Sequence, residues 1–261
     1  MKKIVLFFLP FLFIISSCSE KESSSSEQIY SDLSRNNVKG KVASIQELIY
    51  DCDAKGATTN LRQCCITTSE FDSAGLLKNR KFTDNKGNVV GTEATESYPN
   101  GLTKSMISYQ EGKPLQKITY ELNDKGLYSK MEIVGPEGNL AMYAPDLVQN
   151  EFGQLTSYSL YGPDSVLLQK QEYKYDGNRL IESVTTDGTG KVVSRYQAKY
   201  NDKGEGIEET VTEYSQGQES ATKRTLTYDE RDISGNWTKL TAWDADGKAM
   251  MVTVRQFVYR N

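Results

Sequence analysis

Apolar and polar residues alternate in short runs from about Val38 to the end of the chain, and polar turns separate these runs. In Lys117-Ile118-Thr119-Tyr120-Glu121-Leu122, for example, the three apolar residues fall on one side of an extended strand and the other three on the opposite side. The runs are roughly 7–11 residues long, and about sixteen can be counted. This period of two predicts β-strands, and no stretch has a convincing helical period.

The turns between the runs share a signature, in which an aromatic residue is followed by Asp or Asn and then by Gly. Asp and Asn bond to their own backbone, and Gly readily adopts positive φ, so both favour tight reversals between antiparallel strands. The signature occurs at Phe71-Asp72…Gly75, Phe82…Asp84…Gly87, Tyr175-Asp176-Gly177, Tyr200-Asn201…Gly204, Tyr228-Asp229…Gly235 and Trp243-Asp244…Gly247.

Consecutive hairpins with short turns pair each strand with its neighbours in sequence, which produces an antiparallel meander. Open twisted sheets rarely exceed about ten strands, so a sheet of this length must curl, split or close. We therefore expect an all-β fold over residues 37–261, a long curled single sheet or an incomplete barrel. The weakest strand prediction covers Leu140 to Asn150, because Pro145 interrupts it.

The first residues read as an export signal. Met1 to Ser17 combine two lysines with a short apolar core, and Ile15-Ser16-Ser17-Cys18 resembles a bacterial lipobox, in which the cysteine is acylated. We expect residues 1–17 to be a signal peptide and residues 18–36 a flexible tether, with an ordinary cleavable signal as the alternative. This predicts an outer-membrane protein anchored by lipid on Cys18, either surface-exposed or facing the periplasm.

Charge and composition exclude several classes of function. The net charge is −4, the pI is near 5.2 and no run of Lys or Arg occurs, so nucleic acid is not an expected partner. The chain contains no His, no nucleophile elbow, no Gly-rich phosphate loop and no cluster of metal ligands. We therefore predict a protein that is not an enzyme and that needs neither a cofactor nor a metal.

Three cysteines remain after Cys18 is assigned to lipid. Cys52 and the Cys64-Cys65 pair flank a loop, so a disulfide across the hairpin can form in an oxidising compartment, with its connectivity open and one thiol left over or paired elsewhere. A catalytic cysteine is the weaker interpretation, because no His is available as its base.

Several segments resemble a known group of proteins. The opening at Asn37 to Ile45 and the ending at Tyr228 to Tyr259 are similar to uncharacterised Bacteroidetes envelope lipoproteins, and the turns resemble Tyr-Asp (RHS-like) repeats of bacterial surface and toxin-shell proteins. The resemblance implies a β-hairpin repeat lipoprotein of the cell envelope. It does not extend to encapsulation, because the chain has no room for an enclosed cargo.

Two pairs of residues are candidate sites. Trp237 and Trp243 are six positions apart, and this even spacing places both indoles on one side of a continuous strand as a platform for a sugar ring. Ser73 and Ser165 lie in Asp-Ser-apolar triplets that fit the pattern of Bacteroidetes O-glycosylation. Structural roles are the alternative in each case: closure of the sheet end by the tryptophans, and a chance triplet at the serines.

Two functions from different classes remain. The first is a non-enzymatic binding or interaction scaffold, anchored in the membrane through its lipid, with a glycan or an envelope protein as partner. The second is a glycan hydrolase that uses Asp/Glu pairs on the turns; acidic pairs such as Glu208-Glu209 exist, but their spacing singles out none of them. A transmembrane barrel is disfavoured, because the predicted outward faces carry Lys, Glu and Arg.

Overall fold

A computed structural model describes residues 31–53, 55–150, 153–215 and 217–261, without the side chains of residues 63–65. One four-residue helix precedes seventeen strands. The elements are α1 (Asp32–Arg35), β1 (Val42–Cys52), β2 (Thr58–Phe71), β3 (Leu77–Thr83), β4 (Val89–Ser97), β5 (Thr103–Gln110), β6 (Lys113–Leu122), β7 (Tyr128–Val134), β8 (Leu140–Ala144), β9 (Leu147–Gln149), β10 (Leu155–Tyr161), β11 (Leu167–Asp176), β12 (Arg179–Asp187), β13 (Val192–Tyr200), β14 (Gly206–Ser215), β15 (Gln218–Arg231), β16 (Trp237–Trp243) and β17 (Ala249–Tyr259).

The sheet closes into a 16-strand barrel, in which β8 and β9 are two parts of one wall strand interrupted at Pro145. All strand pairs are antiparallel, and most join neighbours in sequence, as the hairpins predicted; the exceptions are the β1–β17 and β8–β10 pairs. The prediction of an open sheet or an incomplete barrel is wrong. Closure comes from β1, which pairs with β2 on one side and with β17 on the other, from Val42 opposite Tyr259 to Tyr50 opposite Val252. This pairing occupies backbone groups that an open sheet would leave at two exposed edges.

Most turns are built in the same way, as at Asp84. Its carboxylate accepts hydrogen bonds from the backbone N–H groups of Lys86 (2.9 Å) and Asn88 (2.8 Å). The N–H of Gly87 donates to the carbonyl of Asp84, and Gly87 has a φ of 88°, which favours glycine. The aspartates and asparagines of the predicted turns therefore act mainly as structural caps.

A β-bulge follows most turns and leaves the second residue of the next strand without a partner in the ladder. After one turn, for example, Leu122 pairs with Tyr128 and Glu121 with Lys130, so Ser129 is the extra residue. Each bulge shifts the alternation by one position. Residues before and after it therefore cannot be assigned to a face by simple counting.

The inner wall is identified by contacts between distant strands. Tyr120 on β6 and Tyr158 on β10, three wall strands apart, both pack on the apolar cluster that contains Met131. Side chains this far apart in the sheet approach one another only on its concave side. The register then assigns Tyr120, Tyr158, Tyr173, Tyr196 and Tyr228 to the inner wall, and their sequence neighbours to the outer wall.

The buried apolar residues form three separate clusters along the inner wall. The largest contains Met131, Ile133, Ala144, Leu147 and Leu160. The second joins Leu33 of α1 to the start of β1, and the third lies on β15 and β16. Residues 31–36, which the sequence assigned to the tether, thus include a helix that packs on the barrel. This helix lies at the lower rim, which we define as the turns after β2, β4, β6, β9, β11, β13 and β15. The remaining turns form the upper rim.

Candidate binding surfaces of the barrel

Tyrosines near the lower rim tie each hairpin to a neighbouring one. The hydroxyl of Tyr175 donates to the carbonyl of Leu155 at 2.9 Å, and the hydroxyl of Tyr200 donates to the carbonyl of Leu180 at 2.8 Å. Tyr228 makes the same type of bond, to Gly206. The aromatic residue in the turn signature therefore has a structural role at these positions.

Arginine and glutamate form buried pairs on the inner wall. Arg80 lies 3.1 Å from Glu93, and burial raises the pKa of the Glu93 carboxyl, although Arg80 partly offsets this effect. The Nε of Arg224 donates to Glu209 at 2.6 Å, and Glu209 also accepts from the hydroxyl of Tyr196. These carboxylates are held by their partners, which suits structure better than acid-base chemistry.

A small cavity separates α1 from the wall at the lower rim. Its volume is about 80 Å³, and its lining includes Asp32, Ser69 and Arg80. Burial raises the pKa of the Asp32 carboxyl, which accepts a hydrogen bond from the N–H of Leu77 at 2.7 Å. A space of this size holds a few water molecules rather than an organic ligand.

Higher on the inner wall, one register row carries polar side chains across five adjacent strands. We call Gln171, Thr185, Ser194, Glu213 and Ser220 the inner polar row. Strand spacing of about 4.8 Å makes this row about 20 Å long. Within it, the Thr185 hydroxyl donates to Gln171 at 3.0 Å. Among the described residues, Glu213 has no ion-pair partner, in contrast to Glu93 and Glu209.

Ion pairs cover the middle of the outer wall. Lys199 and Lys223 both bind Glu208, at 2.8 and 2.9 Å. Lys170 lies 2.9 Å from Glu172 on β11. Side chains of this kind suit a wall in contact with water.

Six of the eleven exposed large hydrophobic residues in the described chain lie where the outer wall meets the upper rim, whereas Val148, Ile207, Ile233 and Val258 lie toward the lower rim. These six residues extend over strands β4 to β11 of the wall, at the beginning of a strand or in the turn just before one. A stacked pair, Tyr143 and Tyr161, lies among them with ring centres 5.6 Å apart. We call the aliphatic residues the outer band: Val89 (50% exposed), Val90 (40%), Leu115 (49%), Leu140 (38%), Val166 (56%) and Leu168 (42%).

The two tryptophans lie on opposite faces of the wall. Trp237 packs on the inner side, against Tyr228, with the guanidinium of Arg255 3.7 Å from the centre of its ring. Trp243 lies on the outer side and donates its indole N–H to Thr227 at 2.9 Å. The bulge opposite Glu230 and Arg231 shifts the alternation, so the predicted paired platform does not form.

The other predicted sites are only partly visible. Cys52 has a free thiol in the described part of the chain, whereas the side chains of Cys64 and Cys65 lie outside it, as does Cys18. Disulfide pairing and lipidation therefore stay predictions. Ser73 and Ser165 are both exposed in turns, and Ser165 accepts a hydrogen bond from Tyr143 at 2.9 Å. Their glycosylation also stays a prediction.

The adjacent acids Glu208 and Glu209 point to opposite faces, so they cannot flank one substrate bond. Asp53 and Asp244 accept hydrogen bonds from the N–H groups of their own turns and thus act as turn caps. No group of side chains suited to a metal ion occurs in the described ranges. Within these same ranges, no helix has the length and apolarity needed to cross a bilayer.

The chain is thus a closed antiparallel β-barrel, and it was compared with solved structures. A porin-like protein from Bacteroides uniformis aligns with a TM-score of 0.54 and 15% identity, over 83% of this chain and 96% of that one. A porin-like protein from Bacteroides vulgatus aligns with a TM-score of 0.45 and 12% identity, over 85% and 99% of the two chains.

The Tc holotoxin pore of Photorhabdus luminescens aligns with a TM-score of 0.34 and 19% identity, over 71% of this chain and 9% of that one. No protein-family model and no curated protein matches the sequence. The similarity to the Bacteroides uniformis protein shows the fold alone.

Proposed function

We propose that this protein is a non-enzymatic barrel of the cell envelope, tethered by lipid on Cys18, that binds another envelope protein through the outer band. The observation that carries the proposal is the contrast on the outer wall. Six exposed aliphatic residues border the upper rim over neighbouring strands, whereas the wall below them carries ion pairs such as Lys170–Glu172 and Lys199–Glu208. An exposed apolar surface rimmed by polar groups is typical of an interaction site.

The position of the band relative to the tether supports this proposal. The described chain begins beside α1 at the lower rim, where Leu33 donates its backbone N–H to Gly75. A lipid attached through the preceding segment would place the lower rim nearest the membrane. The band would then lie at the far end of the barrel, accessible to other proteins.

Two alternatives receive less support. The fold shared with a protein described as porin-like favours a location in the cell envelope. A barrel that spans a membrane, however, needs an apolar outer wall. Lys170, Lys199 and Lys223 lie on that wall here, and each such residue at mid-bilayer costs about 2–4 kcal/mol. The hydrolase alternative receives no support from Glu208 and Glu209, because these adjacent acids point to opposite faces.

Site-specific photocrosslinking in intact cells tests the proposed surface. A photoreactive amino acid at Leu168 should capture a protein of defined mass, and the Leu140→Glu substitution should reduce this adduct. Lys170 is the matched control, because it lies on the same strand and the same wall but outside the band. No adduct at Leu168 or Leu115, or equal adducts at Lys170, would contradict the proposal.

Fractionation tests the tether separately. A Cys18→Ser variant should move from the membrane fraction to the soluble fraction while keeping its thermal stability, because the barrel itself does not enter lipid. Retention of this variant in washed membranes would instead favour a barrel that spans the bilayer.

A further inference from the structure

We infer that the inner polar row is a binding site for a neutral oligosaccharide, entered from the upper rim. The row is separate from the outer band, so the two proposals stand or fall independently. It consists of one amide, one carboxylate and three hydroxyl side chains, carried by five neighbouring strands. Its repeating groups present donors and acceptors along a line of about 20 Å.

The adjacent register row supplies aromatic surface. Tyr173 is a partly exposed member of this row, whereas Tyr196 in the same row is buried and donates its hydroxyl to Glu209. Tyr173 lies close to Tyr158, with ring centres 6.4 Å apart. Rings beside amides and hydroxyls are the combination that suits a sugar, which presents both C–H faces and hydroxyl groups.

Charge restricts the type of sugar. Glu213 is the one acidic member of the inner polar row, and it has no ion-pair partner among the described residues. Its carboxylate can accept hydrogen bonds from sugar hydroxyls, and such charge-assisted bonds are strong. The same carboxylate repels uronic acids, sulfates and phosphates. We therefore expect neutral glycans to bind in preference to acidic ones.

The two ends of the barrel differ in access. At the lower rim, α1 lies against the inner wall, where its Asp32 lines the small cavity together with Ser69 and Arg80. At the upper rim, Gln169 and Gln171 of β11 are partly exposed to solvent. A ligand would thus enter from the upper rim, the end remote from the tether.

The test uses the full mature protein in detergent, with a panel of linear neutral oligosaccharides and acidic oligosaccharides of matched length, and calorimetry on each. At least one neutral sugar should bind, at least tenfold more tightly than its acidic counterpart. Gln171→Ala should weaken that binding about fivefold, because one hydrogen bond is lost. Gln197→Ala is the matched control, because Gln197 lies on the outer wall of β13, and it should have no effect.

A second variant tests occupancy of the lumen. Ser194→Trp should abolish binding by filling the space above the row, provided that thermal melting shows a folded protein. If this variant does not fold, the comparison of Gln171→Ala with Gln197→Ala decides alone. The inference is overturned if no neutral sugar in the panel binds, if acidic sugars bind equally well, or if Gln171→Ala binds like the parent.

Discussion

Replacing the neighbours Glu208 and Glu209 in turn tests the assignment of the two walls, because the residues are identical in type but face opposite ways. The Glu209 side chain is only 3% exposed, and it binds Arg224 and the Tyr196 hydroxyl. Breaking a buried ion pair costs about 3–5 kcal/mol. Since 31% of the Arg224 side chain remains exposed, water can partly replace the lost partner. We therefore expect Glu209→Ala to cost about 2–3 kcal/mol.

Glu208→Ala removes two ion pairs on the outer wall, with lysines that are 71% and 48% exposed. Exposed pairs contribute about 0–1 kcal/mol, so this variant should lie close to the parent. Urea unfolding followed by tryptophan fluorescence gives the free energy of unfolding for each variant. Glu209→Gln should recover part of the loss, because it keeps a hydrogen-bond acceptor for Tyr196. Equal losses for the two alanine variants, or a larger one for Glu208→Ala, would refute the wall assignment.

Three further predictions concern the turns, the tyrosines and alkaline pH. Gly75→Ala should lower the melting temperature more than Gly87→Ala. Both glycines have positive φ, so alanine strains the backbone at each position. An added Cβ at Gly75 would also lie 2.5 Å from Ser31 Oγ, whereas at Gly87 it meets open space. Tyr175→Phe should cost about 1 kcal/mol in urea unfolding, through its lost bond to Leu155, and an unchanged stability would contradict that role. Burial raises the pKa of both Tyr175 and Tyr200 to about 12. The free energy of unfolding should therefore fall as pH rises from about 10 toward 12, because the unfolded chain releases these protons at lower pH than the folded one. Tyrosinate absorbance that rises before the protein unfolds would contradict this prediction.

The strand pattern and the turns could be predicted from the sequence, because both depend on local chemistry. Asp84 and Gly87 act in their turn as their residue types indicate. The interruption between β8 and β9 at Pro145 follows from the missing N–H of proline. Closure could not be predicted, because it depends on the pairing of β1 with β17, at opposite ends of the chain. Alternation within a strand says nothing about whether the last strand meets the first.

The candidate sites were harder to predict, because they depend on bulges and on curvature. Even spacing placed Trp237 and Trp243 together, but a bulge in the β15–β16 pairing separates them. The inner polar row draws one residue from each of five strands, and no motif in the sequence marks it. Leu115 could have been noticed, since it directly follows a polar turn and precedes Gln116. That signal indicates an exposed residue only once the bulge is known.

Disulfide trapping between β1 and β17 tests closure of the barrel most directly. Gln46 and Gln256 are register partners on the outer wall, so Gln46→Cys with Gln256→Cys, in a chain whose native cysteines are replaced by serine, should crosslink rapidly under mild oxidation. The β16–β17 partners Lys239 and Val254, changed in the same way, provide the control. Closure predicts that both pairs crosslink within one chain. A crosslink in the control pair but none between residues 46 and 256 would mean that the sheet is open.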